Sequence, residues 1–184
     1  MTHTDPHIHD LLIEQCRQGN RKAQFSIYRL YSKAMFNVAY RMMNNREEAE
    51  DMLQEAFTEC FRSIGSFRAT STFGAWLKTI VINKCINRLR KKETELVLTD
   101  DYKAYEKAEE EPAQQTWPDI SAVTRAVEQL PDGYRVIFSL YLLEGYDHTE
   151  ISQIMNISES TSKTQYLRAK EKLKKILLTM HSDG

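Results

Sequence analysis

Hydrophobic residues recur at three- and four-residue spacing along most of the chain, the period of amphipathic helices, and alternating strand patterns are absent. Residues 8–18 place Ile8, Leu11, Leu12 and Cys16 on one side and close at Gly19-Asn20. Residues 21–43 predict a longer helix with Phe25, Tyr28, Tyr31, Met35, Val38 and Met42 on its buried face and Asn44-Asn45 as its stop. The period is cleanest from Glu47 to Ile64, where Ala49, Met52, Leu53, Ala56, Phe57, Cys60 and Ile64 face a core. Glu48, Asp51, Glu55, Glu59 and Arg62 line the opposite side, flanked by Gln54. A polar loop from Gly65 to Thr72 then leads into a helix from Phe73 to about Lys92, with Phe73, Trp76, Leu77, Ile80, Val81 and Leu89 on its apolar side.

The period fades over residues 93–118, which carry Glu109-Glu110-Glu111-Pro112 and Trp117-Pro118. It returns at Asp119. Ala122, Val123, Ala126, Val127 and Leu130 mark one helix, ended by Pro131-Asp132-Gly133. Residues 134–143 are apolar nearly all round and predict the centre of a small bundle. Between Gly145 and Met180 two helices are expected around a short turn. The first starts near Thr149, whose hydroxyl can cap it, and carries Ile151, Ile154 and Met155 on one face. Asn156 suits a left-handed turn residue, and Ser158 suits an N-cap with Glu159 in the first turn after it. The second helix buries Tyr166, Ala169, Leu173, Ile176, Leu177 and Met180.

The sequence thus predicts an all-α protein of two small helical domains, residues 8–92 and 119–180, joined by a flexible acidic linker over 93–118. Only 6 Gly and 4 Pro in 184 residues agree with helices throughout. The net charge of −1 conceals a division along the chain. Residues 8–92 hold 15 Lys and Arg against 8 Asp and Glu, residues 93–120 hold 2 against 9, and residues 121–184 hold 8 against 8. No apolar run approaches the roughly 20 residues that span a bilayer, and Met1 to His9 lacks the apolar core of a signal peptide. A cytoplasmic protein without membrane insertion is expected.

Catalytic patterns are missing: no glycine-rich phosphate loop, no metal-ligand spacing and no Gly-x-Ser-x-Gly. Neither enzyme activity nor a cofactor or metal is expected. Cys16, Cys60 and Cys85 are widely spaced and read as small buried apolar residues, while His3, His7 and His9 read as part of a disordered end.

Several stretches admit two readings. Lys163, Arg168, Lys170, Lys172, Lys174 and Lys175 set six bases against Glu171 in thirteen residues, as in the recognition helix of a helix-turn-helix or in a solvated helix face. The acid stripe is an ordinary solvated face or a dock for a basic protein. Phe73 and Trp76, beside Lys78, Asn83, Lys84, Asn87 and Arg88, are core residues or stacking platforms for single-stranded nucleic acid. The acidic linker is a tether or a strand occupying a channel built for nucleic acid.

Taken in order, Asp51-Met52-Leu53-Gln54-Glu55-Ala56-Phe57, the run Ser66-Phe67-Arg68 with Ser71, Phe73, Trp76, Leu77, Ile80 and Asn83, then Leu130-Pro131 with Arg135, and the closing helix-turn-helix resemble the extracytoplasmic-function class of bacterial RNA polymerase sigma factors. The resemblance covers residues 8 to about 178. It implies that residues 8–92 are the second sigma region and residues 119–180 the fourth. It further implies that Asp51, Gln54 and Glu55 dock on core RNA polymerase, which contributes its β and β′ subunits, with the clamp helices of β′ meeting this stripe. Ser66, Phe67, Arg68, Ala69, Thr70 and Ser71 would read the promoter's minus-ten element, with one non-template base flipped under the loop. Asn83, Lys84, Asn87 and Arg88 would follow the melted strand. Ser160, Thr161, Lys163, Thr164, Leu167 and Arg168 would face the double-stranded minus-thirty-five element, and Arg135 a phosphate. An anti-sigma factor is the implied regulator.

Some positions depart from the family's pattern. Ala69-Thr70 stands where relatives often have Gly-Asp, Ser160 and Ser162 replace a common Gly and Val, Gln165 replaces Arg, and Ser152 replaces Ala. Two alternatives therefore stand beside a sigma factor. One is a sigma-like decoy that sequesters an anti-sigma factor, which Ser162 and Gln165 would suit. The other is an independent helix-turn-helix regulator, which would need a dimer.

Overall fold

Asparagines punctuate the first helices. The computed structural model describes residues 6–92 and 120–182, and every regular element among them is helical. Helix α1 (Pro6–Arg17) ends at Gly19, whose φ of 78° is open to glycine at no steric cost. Asn20 caps α2 (Arg21–Met43), its side chain accepting from the amides of Lys22 and Ala23 at 2.9 and 3.2 Å. Asn44 then turns left-handed at φ 51°, and Asn45 accepts from the Glu48 amide to start α3 (Arg46–Ser63). A 3-10 turn (Ile64–Ser66) and a loop lead to α4 (Phe73–Lys92).

Helices α2, α3 and α4 pack against one another, and α1 lies on α2. The interior comprises Ile27, Met42, Met52, Leu77, Val81 and Ile82 with Cys60 and Cys85, all essentially inaccessible. Each of the larger side chains contributes about 1.5–3 kcal/mol through burial. The core face expected of α3 is buried at every position. In α4 the buried set also takes in Ile82, Cys85 and Ile86, whereas Trp76 and Ile80 are only half-buried. All three cysteines are buried and unpaired as disulfides, and burial pushes the Cys60 and Cys85 thiols up to about 12, so they remain protonated apolar fillers.

Two expectations for this unit are corrected. Phe25 is 62 % exposed and Tyr28 37 %, because α2 turns Ala23 and Ile27 inward at those levels. His9 is not part of a loose end: it lies in α1, with Nδ1 2.8 Å from the Tyr31 hydroxyl. His3 and the linker over 93–118 lie outside the described residues, as does the side chain of His7.

The chain divides after Lys92 into two compact units. The described part of the second holds α5 (Ile120–Glu128), α6 (Asp132–Phe138), a π-helical segment (Ser139–Leu143), α7 (His148–Met155) and α8 (Glu159–Ser182). Helix α8 packs on α5, α6 and α7. Ala126, Leu130, Phe138, Ala169 and Leu173 form the buried cluster, and Tyr166, Ile176, Leu177 and Met180 pack around it, as the spacing predicted. The stretch 134–143 is not buried all round. The helix widens to π geometry at Ser139, and Tyr141, Leu142 and Leu143 emerge 36 %, 56 % and 49 % exposed. The cap of α7 is Asp147 rather than Thr149: Asp147 and Glu150 bond reciprocally as a capping box. Among the described residues no helix is long and apolar enough to cross a membrane, and no group of three metal-ligating side chains gathers.

Candidate nucleic-acid interface

The loop between α3 and α4 is fastened at its start and open at its tip. Phe67 is buried, its ring against Phe73 and Trp76 at 5.5 and 5.3 Å. Arg17 on α1 donates to the Phe67 carbonyl at 2.7 Å. Ser66 donates to the Ser63 carbonyl, and the Thr72 hydroxyl accepts from the Ala75 amide at the start of α4. Between these anchors Arg68, Ala69, Thr70 and Ser71 are exposed, and Ala69 is left-handed at φ 55°. Of the six loop residues expected to meet DNA, Phe67 is thus a core anchor and the rest are at the surface. Sequence reasoning missed Arg17, whose partner lies fifty positions away. A cavity of about 240 Å³ opens beside the loop, walled by α1, α2 and the start of α4.

On α4, Asn83 and Asn87 are exposed, and Lys84 and Arg88 lie next to them on the same side, at helical spacing. The two bases meet the acid stripe of α3. Arg88 Nη2 stands 3.5 Å from Asp51 and 3.9 Å from Glu55. Lys84 Nζ is 3.9 Å from Glu59, and Lys92 pairs with Glu48. The stripe is therefore neither opposite the rest of the unit nor alone in solvent: it forms one edge of a seam of alternating charge. Gln54, exposed beside it, lines a second cavity with Tyr28, Phe36 and Arg46.

In the second unit, Asn156 takes up the left-handed conformation its position predicted, with φ 49° and ψ 50°. Ser158 accepts from the Thr161 amide at 3.0 Å and so caps α8. Thr149 bonds Glu159 across the turn at 3.3 Å. The Lys163 ammonium, 2.6 Å from Glu159, and then that threonine bond hold the Glu159 carboxyl below its usual range. His148 links the two helices, with Nδ1 2.9 Å from the buried Ser162 hydroxyl and its ring stacked on Tyr141 at 4.5 Å. Burial, and secondly the Lys163 charge, hold its imidazole below the usual histidine range against the pull of Glu159 and Asp147.

Helix α8 has two distinct sides. Ser162, Gln165, Ala169 and Leu173 point inward. Ser160, Lys163 and Leu167 are exposed, with Thr164 and Arg168 half-buried between them, all at positions that share one outer face. Thr161 is half-buried and engaged with Ser158 in the cap. Arg135 departs from its expected surface position. It is 3 % exposed, donates to the Leu130 carbonyl at 2.8 Å and pairs with Asp132, so it ties the α5–α6 corner instead of facing solvent.

Comparison with known proteins agrees with this division. The model of Sigma-70 region 2 matches residues 27–95, and that of Sigma-70, region 4 matches residues 120–173. The chain is 31 % identical over 179 residues to the ECF RNA polymerase sigma factor SigW of Bacillus subtilis, covering 90 % of this chain and 94 % of that one. It is 34 % identical over 151 residues to SigM of the same organism, covering 80 % and 91 %. In fold it is similar to the sigma factor RpoE, in complex with the anti-sigma factor NepR, from Bartonella quintana, with a TM-score of 0.56 and 24 % identity over 83 % of this chain and 94 % of that one. CnrH in complex with the cytosolic domain of CnrY gives 0.54 at 18 % identity, covering 92 % and 96 %. With both regions present in order and whole-length similarity to SigW, the chain belongs to the extracytoplasmic-function family of RNA polymerase sigma factors.

Proposed function

We propose that this protein binds core RNA polymerase and directs it to a defined set of promoters. The observation that carries this reading is the two-sided α8. Its inner side is committed to the core, while Ser160, Lys163, Thr164, Leu167 and Arg168 share the outer face of a helix-turn-helix. Such a helix fits the major groove, where hydroxyl, amide and guanidinium groups read base edges and lysines hold phosphates.

In this scheme Asp51, Gln54 and Glu55 dock on the polymerase, and α8 reads the minus-thirty-five element. The exposed tip Arg68–Ser71 with Asn83, Lys84, Asn87 and Arg88 follows the melted minus-ten strand. Arg135 and Phe67 act indirectly, holding the corner and the loop that present these groups. Each unit alone offers few phosphate contacts, so binding of the isolated chain to DNA is weak and salt-sensitive. Docking on one polymerase raises the effective concentration of the second unit at the promoter. An anti-sigma factor as regulator belongs to the same reading, supported by the two fold relatives solved with such a protein or with a cytosolic partner domain.

Ser162 and Gln165, the departures that would suit a decoy, lie inside the unit and leave the outer face of α8 intact. The test is paired. Asp51→Lys with Glu55→Lys is expected to abolish core-polymerase binding in a pull-down while leaving thermal melting unchanged; normal binding would contradict the docking role. Arg168→Ala is expected to weaken promoters with a defined upstream element more than others, and a uniform loss would contradict base reading by α8.

A further inference from the structure

Helix α1 ends before the stretch matched by the model of Sigma-70 region 2, which begins at residue 27. The promoter-reading function proposed above gives it no task. It is nevertheless docked on the part of the chain that leads into the α3–α4 loop. Ile13 and Cys16 are buried, 5 % and 2 % exposed, and α1 packs against the 3-10 turn before Phe67 as well as against α2. Arg17, next in sequence, reaches from this docked surface to the loop backbone.

The bonds that hold the loop differ in origin. Ser66 donates to the Ser63 carbonyl, the Phe67 amide to the Ile64 carbonyl at 3.2 Å, and the Ala75 amide to the Thr72 hydroxyl. Each spans three residues and fixes local turn geometry only. Arg17 Nη2 donates to the Phe67 carbonyl at 2.7 Å from a different helix, and so sets where the loop starts relative to the rest of the unit. The Phe67 ring is sunk against Phe73 and Trp76. Side chain and carbonyl of one residue are thus both held, and the exposed tip Arg68–Ser71 departs from a fixed point.

The donor is itself aimed. Arg17 Nη1 lies 3.1 Å from the Glu14 carboxylate, one turn earlier on α1. A guanidinium is planar and its donors diverge at fixed angles, so a carboxylate on one nitrogen restricts where the other points. Both side chains are accessible, at 37 % for Arg17 and 53 % for Glu14. An ion pair so exposed adds little to stability, and its value here is direction.

We infer that α1 belongs to the promoter-reading machinery: Arg17, oriented by Glu14, is a positioning residue that holds the α3–α4 loop ready for the melted strand. A loop that is already ordered loses little further freedom on meeting its partner. The contribution of Arg17 therefore falls on capture of the strand, and leaves docking on polymerase and the minus-thirty-five element unaffected. The inference rests on the promoter-reading function proposed above and adds to it a residue from outside the matched region.

The test uses the full chain with purified core RNA polymerase on a promoter it transcribes, carrying a fluorescent base analogue in the non-template strand of the minus-ten element. Stopped-flow mixing over a range of concentrations separates initial promoter binding from the rate of opening. Arg17→Met keeps the alkyl stem and removes the donors. It is expected to slow opening by about fivefold, the factor of one lost hydrogen bond, with polymerase affinity and initial binding unchanged. Arg17→Lys keeps a donor for the carbonyl and is expected to recover part of that rate. Glu14→Ala, an exposed change, is expected to slow opening by about twofold. Failure of the unaltered protein to open any promoter would overturn the promoter-reading function itself. An unchanged opening rate in Arg17→Met would overturn this inference alone, as would an equal fall in initial binding, or Arg17→Lys opening no faster than Arg17→Met. Where Arg17→Met proves unfolded on thermal melting, Glu14→Ala decides, and opening at the unaltered rate in that variant would overturn the inference.

Discussion

Arg88 on α4 holds its guanidinium 3.5 Å from the carboxylate of Asp51 on α3. A side chain proposed to follow the melted strand is thereby paired with one proposed to meet the polymerase. Asp51 is exposed and Arg88 partly so, and the pair adds little to stability, about 0–1 kcal/mol. Its importance lies in competition: whatever takes up Asp51 and Glu55 loosens the hold on Arg88.

Neutralising the two acids with Asp51→Asn and Glu55→Gln is accordingly expected to raise the affinity of the isolated chain for a single-stranded minus-ten oligonucleotide by about two- to fivefold, the free-energy scale of exposed pairs. Fluorescence anisotropy at fixed salt measures it. Glu47→Gln with Glu50→Gln changes the net charge equally at residues that do not pair with Arg88, and so serves as the control. Equal gains in both double variants would show general electrostatics rather than release of Arg88.

Arg17 donates to the Phe67 carbonyl across fifty residues of sequence, the bond that holds the start of the loop to α1. Arg17→Ala is expected to cost about 1 kcal/mol and to speed amide exchange through residues 67–71 more than elsewhere in the unit. Exchange that is faster throughout the first unit would show global destabilisation instead.

Ala69 occupies the left-handed region at φ 55°, where a side chain is strained by roughly 1–2 kcal/mol. Glycine removes that strain and adds unfolded-state entropy, so Ala69→Gly is expected to stabilise the first unit by a few tenths to about 1 kcal/mol. Ala69→Val is expected to destabilise it. Thermal melting distinguishes the two signs.

His148 gives the second unit a pH dependence. Its pKa in the folded chain lies below the ordinary 6.5, chiefly through burial and then through Lys163. On acidification the unfolded chain takes up this proton first, so stability is full above the unfolded value and is lost as pH falls through about 6.5 toward the folded value. Melting of the second unit is expected to fall over that window, and His148→Gln is expected to flatten it. A later loss belongs to Glu159, whose carboxyl is held below 4.5 chiefly by Lys163. An equal fall with His148→Gln would assign the dependence to another group.

Helical periodicity made most of the architecture readable, because each α3 core residue is spaced for one face and that face is buried. Asn44, Asn156 and Ser158 were readable as punctuation, since few residues tolerate αL or cap well. The outer face of α8 followed from the same spacing. Errors arose where two residues competed for a role or tertiary contacts decided it. Thr149 and Asp147 can both cap α7, and the reciprocal bond to Glu150 selects Asp147. Arg135 reads as a surface base because buried arginine is rare, yet its two Nη atoms bond to the Leu130 carbonyl and the Asp132 carboxylate inside the unit. The pairing of α3 acids with α4 bases, and the meeting of His9 with Tyr31, join residues far apart in sequence and leave no local pattern.

The most direct measurement is run-off transcription from a genomic promoter library with purified core RNA polymerase, with and without this protein. Discrete new start sites that require the protein, sharing two alignable upstream elements, are the predicted result. Unchanged transcripts together with absence of polymerase binding would contradict promoter reading by this chain.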